Sequence, residues 1–154
     1  MMTEFYPLKN QEIELLMRAP LLVSILIAGA DGDIDQKEMK QAIQQARKNA
    51  SKSNSHLKEF YKQVGEDFED KMKVLMAAFP HEPGMRNKLI VHELSQVNSI
   101  YKKIPKTFAT ELHSSLCELA RDVAASSGGV FGMNKVGEEE ARWVTLPMLQ
   151  PPNA

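Results

Sequence analysis

Apolar residues recur every three or four positions along most of the chain, a spacing that places them on one face of an α-helix. The longest stripe predicts a single helix from about Ser55 to Phe79. Shorter stripes predict helices near 35–46, 90–104, 108–123 and 138–146. No two-residue alternation typical of a strand stands out, and residues that favour helices outnumber those that favour strands. The pattern therefore predicts an all-α fold.

Glycine, proline and polar residues separate the stripes. Pro105 suits the first turn of a helix, where its missing N–H costs little, and Pro147 is expected to end the last helix. A chain of 154 residues is a usual length for one domain. We predict a single helical bundle of six or seven helices that covers 11–147, with tails at 1–10 and 148–154.

The apolar run 20–30 is the most hydrophobic part of the chain. Its 11 residues are fewer than the roughly 18 needed to span a membrane. The residues before it include Glu4, Glu12 and Glu14, whereas a secretion signal opens with a basic segment. We predict a buried helix that Pro20 either opens or kinks. The protein is accordingly expected in the cytoplasm and not as a membrane-spanning chain.

Composition excludes several classes of function. The net charge of −1 gives no basic footprint for nucleic acid. Cys117 is the only cysteine, so a disulfide framework and a four-thiolate zinc site are both excluded. The sequence contains no phosphate-binding P-loop, dinucleotide glycine fingerprint or nucleophile elbow. We predict that the protein is not an enzyme.

The densest chemistry lies at 31–38, where four carboxylates fall within eight residues. Asp31, Asp33 and Asp35 match the first, third and fifth positions of an EF-hand loop. Gln36 and Ala42 stand where that loop needs glycine and glutamate, so the segment is not an EF-hand. A shorter acidic turn could still hold a hard divalent cation through its oxygen ligands.

Helix capping is the competing interpretation of the same acids. Asp35 followed three residues later by Glu38 is a capping-box pair at a helix start. Negative charge in a first turn also complements the positive end of the helix dipole. Capping accounts for two of the four acids, so both interpretations stay open at this point.

A second acidic helix start echoes the first. An apolar helix ends in the segment 124–129 and is followed, after an insertion, by Glu138, Glu139 and Glu140. We infer an all-helical domain built from two related halves. If these halves face each other, Glu139 and Glu140 would share an acidic surface with the first turn. Alternatively, the three glutamates only complement a helix dipole.

These motifs resemble the tellurite-resistance TerB-like family. The first motif that supports the resemblance is the pattern Ala-Asp-Gly-x-Ile-x-x-x-Glu at 30–38, preceded by Ala19-Pro20. The second is Gly-Gly-Val-Phe-Gly at 128–132, followed by Val136 and Glu140. The resemblance spans most of the chain, from about Ala19 to Trp143. The second half has Ser127 and Gly128 where the first has Asp31, so it lacks the turn carboxylate.

The resemblance implies an all-helical cytoplasmic domain with pseudo-twofold halves and a metal-binding or partner-binding role in stress response. Carried over residue by residue, it gives Asp31, Asp33, Glu38 and Glu140 as the ligands of a divalent cation. Since their ligand atoms are carboxylate oxygens, we expect calcium or magnesium rather than zinc. The neighbouring acids Asp35, Glu138 and Glu139 are assigned to partner binding.

Two hypotheses follow. The first is a non-enzymatic TerB-like domain that binds a divalent cation or a protein partner through its acidic surface. The alternative is a pure interaction module without metal, whose methionine and aromatic stripes bury a partner helix or build a homodimer. A further pair, His113 and Cys117, shares a helix face, but zinc needs more ligands, which favours a packing role for both.

Overall fold

The computed structural model of the chain describes residues 3–29, 35–50, 55–128 and 142–152. Within these ranges it contains seven α-helices, a short 3₁₀ helix at Thr3–Phe5 and no strand, which confirms the predicted all-α bundle. The helices are α1 (Asn10–Ala28), α2 (Gln36–Ala50), α3 (Ser55–Gly65), α4 (Phe68–Ala78), α5 (Pro83–Ser95), α6 (Val97–Tyr101) and α7 (Lys106–Gly128).

Helix α1 is the centre of the bundle. Every residue from Ala19 to Ala28 is buried, so this half of the helix is apolar on all sides and must be covered on all sides. It packs against α2, α3, α5, α6 and α7. The predicted buried helix is confirmed, but it begins ten residues before Pro20, which lies inside it. The buried Ser24 hydroxyl donates a hydrogen bond to the Pro20 carbonyl at 2.8 Å.

None of the helices in the described ranges combines the length and the apolar character needed to cross a membrane.

The predicted single helix at 55–79 is wrong: two helices, α3 and α4, occupy this segment. The chain turns at Asp67, whose φ of 54° and ψ of 38° are left-handed and cannot continue a right-handed helix. The Lys71 ammonium donates to the carbonyls of Gln63 and Val64 at 2.7 and 3.3 Å. It therefore satisfies carbonyl groups that the end of α3 leaves without helical partners.

The apolar pattern does not predict the break between α3 and α4, because the helical spacing of apolar residues continues across it. Val64 at the end of α3 and Phe68 at the start of α4 are four positions apart and both buried. The predicted helix at 90–104 is similarly divided at Gln96 into α5 and α6. An apolar stripe reports which face is buried, and it does not report whether the backbone stays helical between buried positions.

Both segments that were assigned to tails contribute to the core. Phe5 is 2% exposed and meets Phe60 and Phe108 edge to face, at ring-centroid distances of 6.3 and 6.2 Å. At the other end, the Asn98 side chain donates to the Met148 carbonyl at 2.9 Å and accepts from the Gln150 amide at 2.8 Å. These bonds hold the buried Leu149 against the bundle.

The predicted helix at 138–146 lies mostly outside the described residues. Arg142 and Trp143 are helical, but Leu146 has a left-handed φ of 50°, so the helix ends before it. The proposed second half of the internal repeat falls in the same segment and stays a prediction.

The stabilities of two variants, with Asp67 replaced by glycine or by alanine, distinguish two helices from one continuous helix. Both variants lose the carboxylate, so their difference reports the backbone alone. Because left-handed φ costs alanine roughly 1 kcal/mol more than glycine, we expect D67G to be more stable than D67A by about that amount in urea unfolding. A continuous helix would reverse the order, since glycine in a helix interior is about 1 kcal/mol worse than alanine.

Candidate functional site

Asp35 is the cap of α2. One of its carboxylate oxygens, Oδ1, accepts hydrogen bonds from the backbone amides of Lys37 at 3.0 Å and Glu38 at 3.1 Å. The capping interpretation is therefore confirmed for this residue. The same oxygen is engaged by two amide donors, which makes Asp35 less available as a ligand.

Glu38 lies in the first turn of α2 and is partly buried. Its pKa is raised, first because burial penalises the carboxylate and then because the negative charge of Asp35 is close. Two acids thus sit together at the start of α2, and only one of them is held by backbone amides in the hydrogen bonds described above.

The other predicted site residues, Asp31, Asp33, Glu138, Glu139 and Glu140, lie outside the described residues. Among the residues that are described, no three His, Cys, Asp or Glu side chains come together in a way that would hold a metal ion. The structure therefore does not test whether the predicted metal ligands come together, and the metal site stays a prediction.

Arg86 is a functional candidate that the sequence patterns missed. Its guanidinium is buried and donates to the Gly29 carbonyl at 2.6 Å, at the point where the chain leaves α1 for the acidic turn. Burial lowers the pKa of this arginine although Glu82 favours its charge. A buried cation therefore anchors the entry to 30–34, and nothing in the spacing of α5 distinguished Arg86 from the exposed basic residues around it.

His113 and Cys117 lie on one face of α7, as their spacing predicted. The Cys117 sulfur is 3.7 Å from His113 Nε2, and the Tyr101 hydroxyl is 3.2 Å from His113 Nδ1. Burial lowers the pKa of the histidine and raises that of the thiol, so both neutral forms are favoured. A reactive thiolate needs the opposite shift, which favours the packing role.

An apolar groove that is available to a partner lies between α1 and α4. Its volume is about 410 Å³, it is open to solvent, and its exposed surface is almost entirely apolar. Val74, in the wall that α4 supplies, is 67% exposed. The lining consists of Ile13, Met17, Leu21, Val74 and Leu75, with Glu14, Arg18, Asp70 and Lys71 as its charged residues.

Two features of the sequence mark this groove. Val74 is apolar but falls between the stripe positions Met72, Leu75 and Met76, so it points away from the face that the stripe buries. Ile13 and Met17 likewise extend the apolar surface of α1 four residues apart, N-terminal to the run 20–30.

The four charged groups of the groove differ in their partners. Arg18 pairs with Glu93 at 2.9 Å, and Lys71 donates to the carbonyls at the end of α3. Glu14 and Asp70 are exposed and form no hydrogen bond or ion pair within the part of the chain that the structure describes. The unengaged charge of the groove is therefore negative.

A second hollow, of about 420 Å³, lies at the start of α5 beside Trp143. The amide donors at this helix start are already engaged, because the Glu82 carboxylate accepts from Gly84 at 2.9 Å and from Met85 at 2.7 Å. This arrangement leaves little capacity for an anion there, although helix starts commonly bind anions.

Comparisons with family models, with curated proteins and with solved structures give no significant match to this chain. The resemblance to TerB-like proteins therefore rests on the sequence motifs alone.

Replacing Asp35 by alanine tests whether this acid acts as a cap. We expect D35A to lower the free energy of unfolding by about 1 kcal/mol and D35N to lose much less, because asparagine also caps helices. The loss should be equal in EDTA and in calcium, as measured by urea unfolding. A loss that appears only in calcium would assign Asp35 to a metal site instead.

The lowered pKa of His113 predicts a dependence of stability on pH. Since the unfolded chain binds the proton more readily than the native state, stability falls as the pH drops below about 6.5, the ordinary histidine value. Urea unfolding at pH 7.5 and 5.5 should show a larger loss for the wild type than for H113Q. Equal losses of stability in the two proteins would show that His113 is not the cause. The raised pKa values of Glu38 and Asp122 also make stability depend on pH, but they do so equally in the wild type and in H113Q.

Proposed function

We propose that the protein is a non-enzymatic interaction module that binds an apolar segment of a protein partner in the groove between α1 and α4. The observation that carries this proposal is the groove itself, which is open, about 410 Å³ in volume and apolar. A concave apolar surface with a few polar groups at its edge is the usual form of a binding site. A groove between two helices suits a partner helix laid into it with its apolar face down.

Val74 supports the proposal because an exposed valine at this position of α4 contributes little to folding. A β-branched residue is a poorer helix former than leucine or alanine, and at 67% exposure Val74 gains little from burial. Met17 on the opposite wall is an adaptable side chain that can fit partners of different shapes. Together they give the groove two walls of exposed or partly exposed apolar surface.

The non-enzymatic part of the proposal is supported by the chemistry of the described side chains. The one close thiol and imidazole pair, Cys117 and His113, is held in its neutral form and does not line the groove. A metal-dependent enzyme would need an open coordination site next to a general base.

The TerB-like cation site is a second candidate function. It is favoured by the start of α2, where Asp35 and Glu38 lie close together. The pKa of Glu38 is raised first by burial and then by the negative charge of Asp35, and a bound cation would offset that second effect. Under this candidate Asp31, Asp33, Glu38 and Glu140 supply the oxygen ligands, and calcium or magnesium is the ion.

Binding of a neutral amphipathic helical peptide, built from leucine and glutamine, tests the groove. We expect V74D to weaken binding at least tenfold, measured by fluorescence anisotropy, because a carboxylate in an apolar contact loses its hydration without gaining a partner. The control is L89D, which places the same charge at a 46% exposed apolar residue of α5 outside the groove. Equal binding by V74D and wild type would refute the groove as the site.

The cation candidate is tested by thermal unfolding of EDTA-treated protein against calcium, magnesium, manganese and zinc. An ion that binds only the folded state adds about 2.7 kcal/mol at a hundredfold excess over its Kd. We expect calcium or magnesium to stabilise the wild type and not the D31N/D33N variant. Stabilisation by zinc alone would point to His113 and Cys117, and no stabilisation by any ion would reject the site.

A further inference from the structure

We infer that the segment bound in the groove is a basic amphipathic helix, whose apolar face fills the groove while its lysine or arginine side chains pair with Glu14 and Asp70. This inference rests on the proposed function, since it names the chemistry of the partner at that same groove. It follows from which charges at the rim already have partners and which do not.

The two unengaged carboxylates stand on opposite walls of the groove. Glu14 belongs to α1 and Asp70 to α4, and both side chains are exposed. Neither forms a hydrogen bond or an ion pair within the described ranges. A helix lying in the groove would therefore pass between two negative charges, and cationic side chains on either edge of its apolar face could reach one of them.

The basic residues of the rim already have hydrogen-bond partners. Arg18 is paired with Glu93 at 2.9 Å, and Lys71 is bonded to two backbone carbonyls at the end of α3. An acidic partner would have to break these contacts to gain a cation, and it would meet Glu14 and Asp70 without compensation. Charge complementarity thus favours a basic segment over an acidic one.

The same charges disfavour a second copy of this chain as the occupant. A twofold interface joins a surface to itself, so it would bring the Glu14 and Asp70 carboxylates of both copies into one contact. Like charges in an interface act against association, whereas a basic partner removes this repulsion.

Three labelled peptides with the same leucine face and with lysine, glutamine or glutamate on the polar face test the inference. We expect the lysine peptide to bind about tenfold more tightly than the glutamine peptide at low ionic strength, since exposed ion pairs contribute about threefold each. The glutamate peptide should bind most weakly. Added salt should reduce the preference for lysine, because exposed charges are screened.

The variant E14Q/D70N should bind the lysine and glutamine peptides with equal affinity, because it lacks the two charges that favour lysine. The control E59Q/E118Q removes the same amount of charge outside the groove. Its two side chains accept hydrogen bonds from Gln63 and Asn49, which glutamine can also accept. This control should keep the full preference for lysine.

The outcomes separate the two proposals. Equal affinity of wild type for all three peptides, with binding still lost in V74D, would overturn the basic-helix inference and leave the groove as the site. Failure of all three peptides to bind would overturn the proposed function. A concentration-dependent dimer in sedimentation that V74D dissociates would assign the groove to a second copy and also overturn the inference.

Discussion

The structure depends on covering the second half of α1 on every side. The second half of α1 has no polar face, so any arrangement that left one of its sides in water would expose several large apolar side chains. Five other helices pack against it. Helices α5 and α6 both contact α1, so the two pieces of the divided helix share in this cover.

The fold class could be predicted from the sequence because the apolar residues at helical spacing are the residues that the helices bury. What this spacing does not record is the backbone between buried positions. Val64 and Phe68 keep the helical interval although a left-handed Asp67 lies between them, so one stripe was interpreted as one helix. The tails were misjudged for a related reason: single residues such as Phe5 and Leu149 reach the core from segments too short to show a period.

The candidate sites differ in how far local sequence defines them. Capping is a contact between near neighbours, and it was one of the two interpretations that the position of Asp35 before a stripe supported. The hydrogen bonds at the start of α2 confirm it. The groove arises between α1 and α4, whose charged residues Glu14 and Asp70 are 56 positions apart, and only the packed structure shows that they share a rim. Which rim charges are engaged is likewise a tertiary property, because Arg18 finds its partner Glu93 on another helix.

The order of the helices along the chain has a consequence for biosynthesis. The most apolar helix, α1, is made before α7, which is a principal part of its cover and begins about 80 residues after α1 ends, at Lys106. At about 5–20 residues per second, a ribosome needs roughly 4–16 s to make that stretch. For this interval the nascent chain carries its most hydrophobic surface without its final neighbour, which is the situation in which ribosome-associated chaperones bind and in which unprotected chains aggregate.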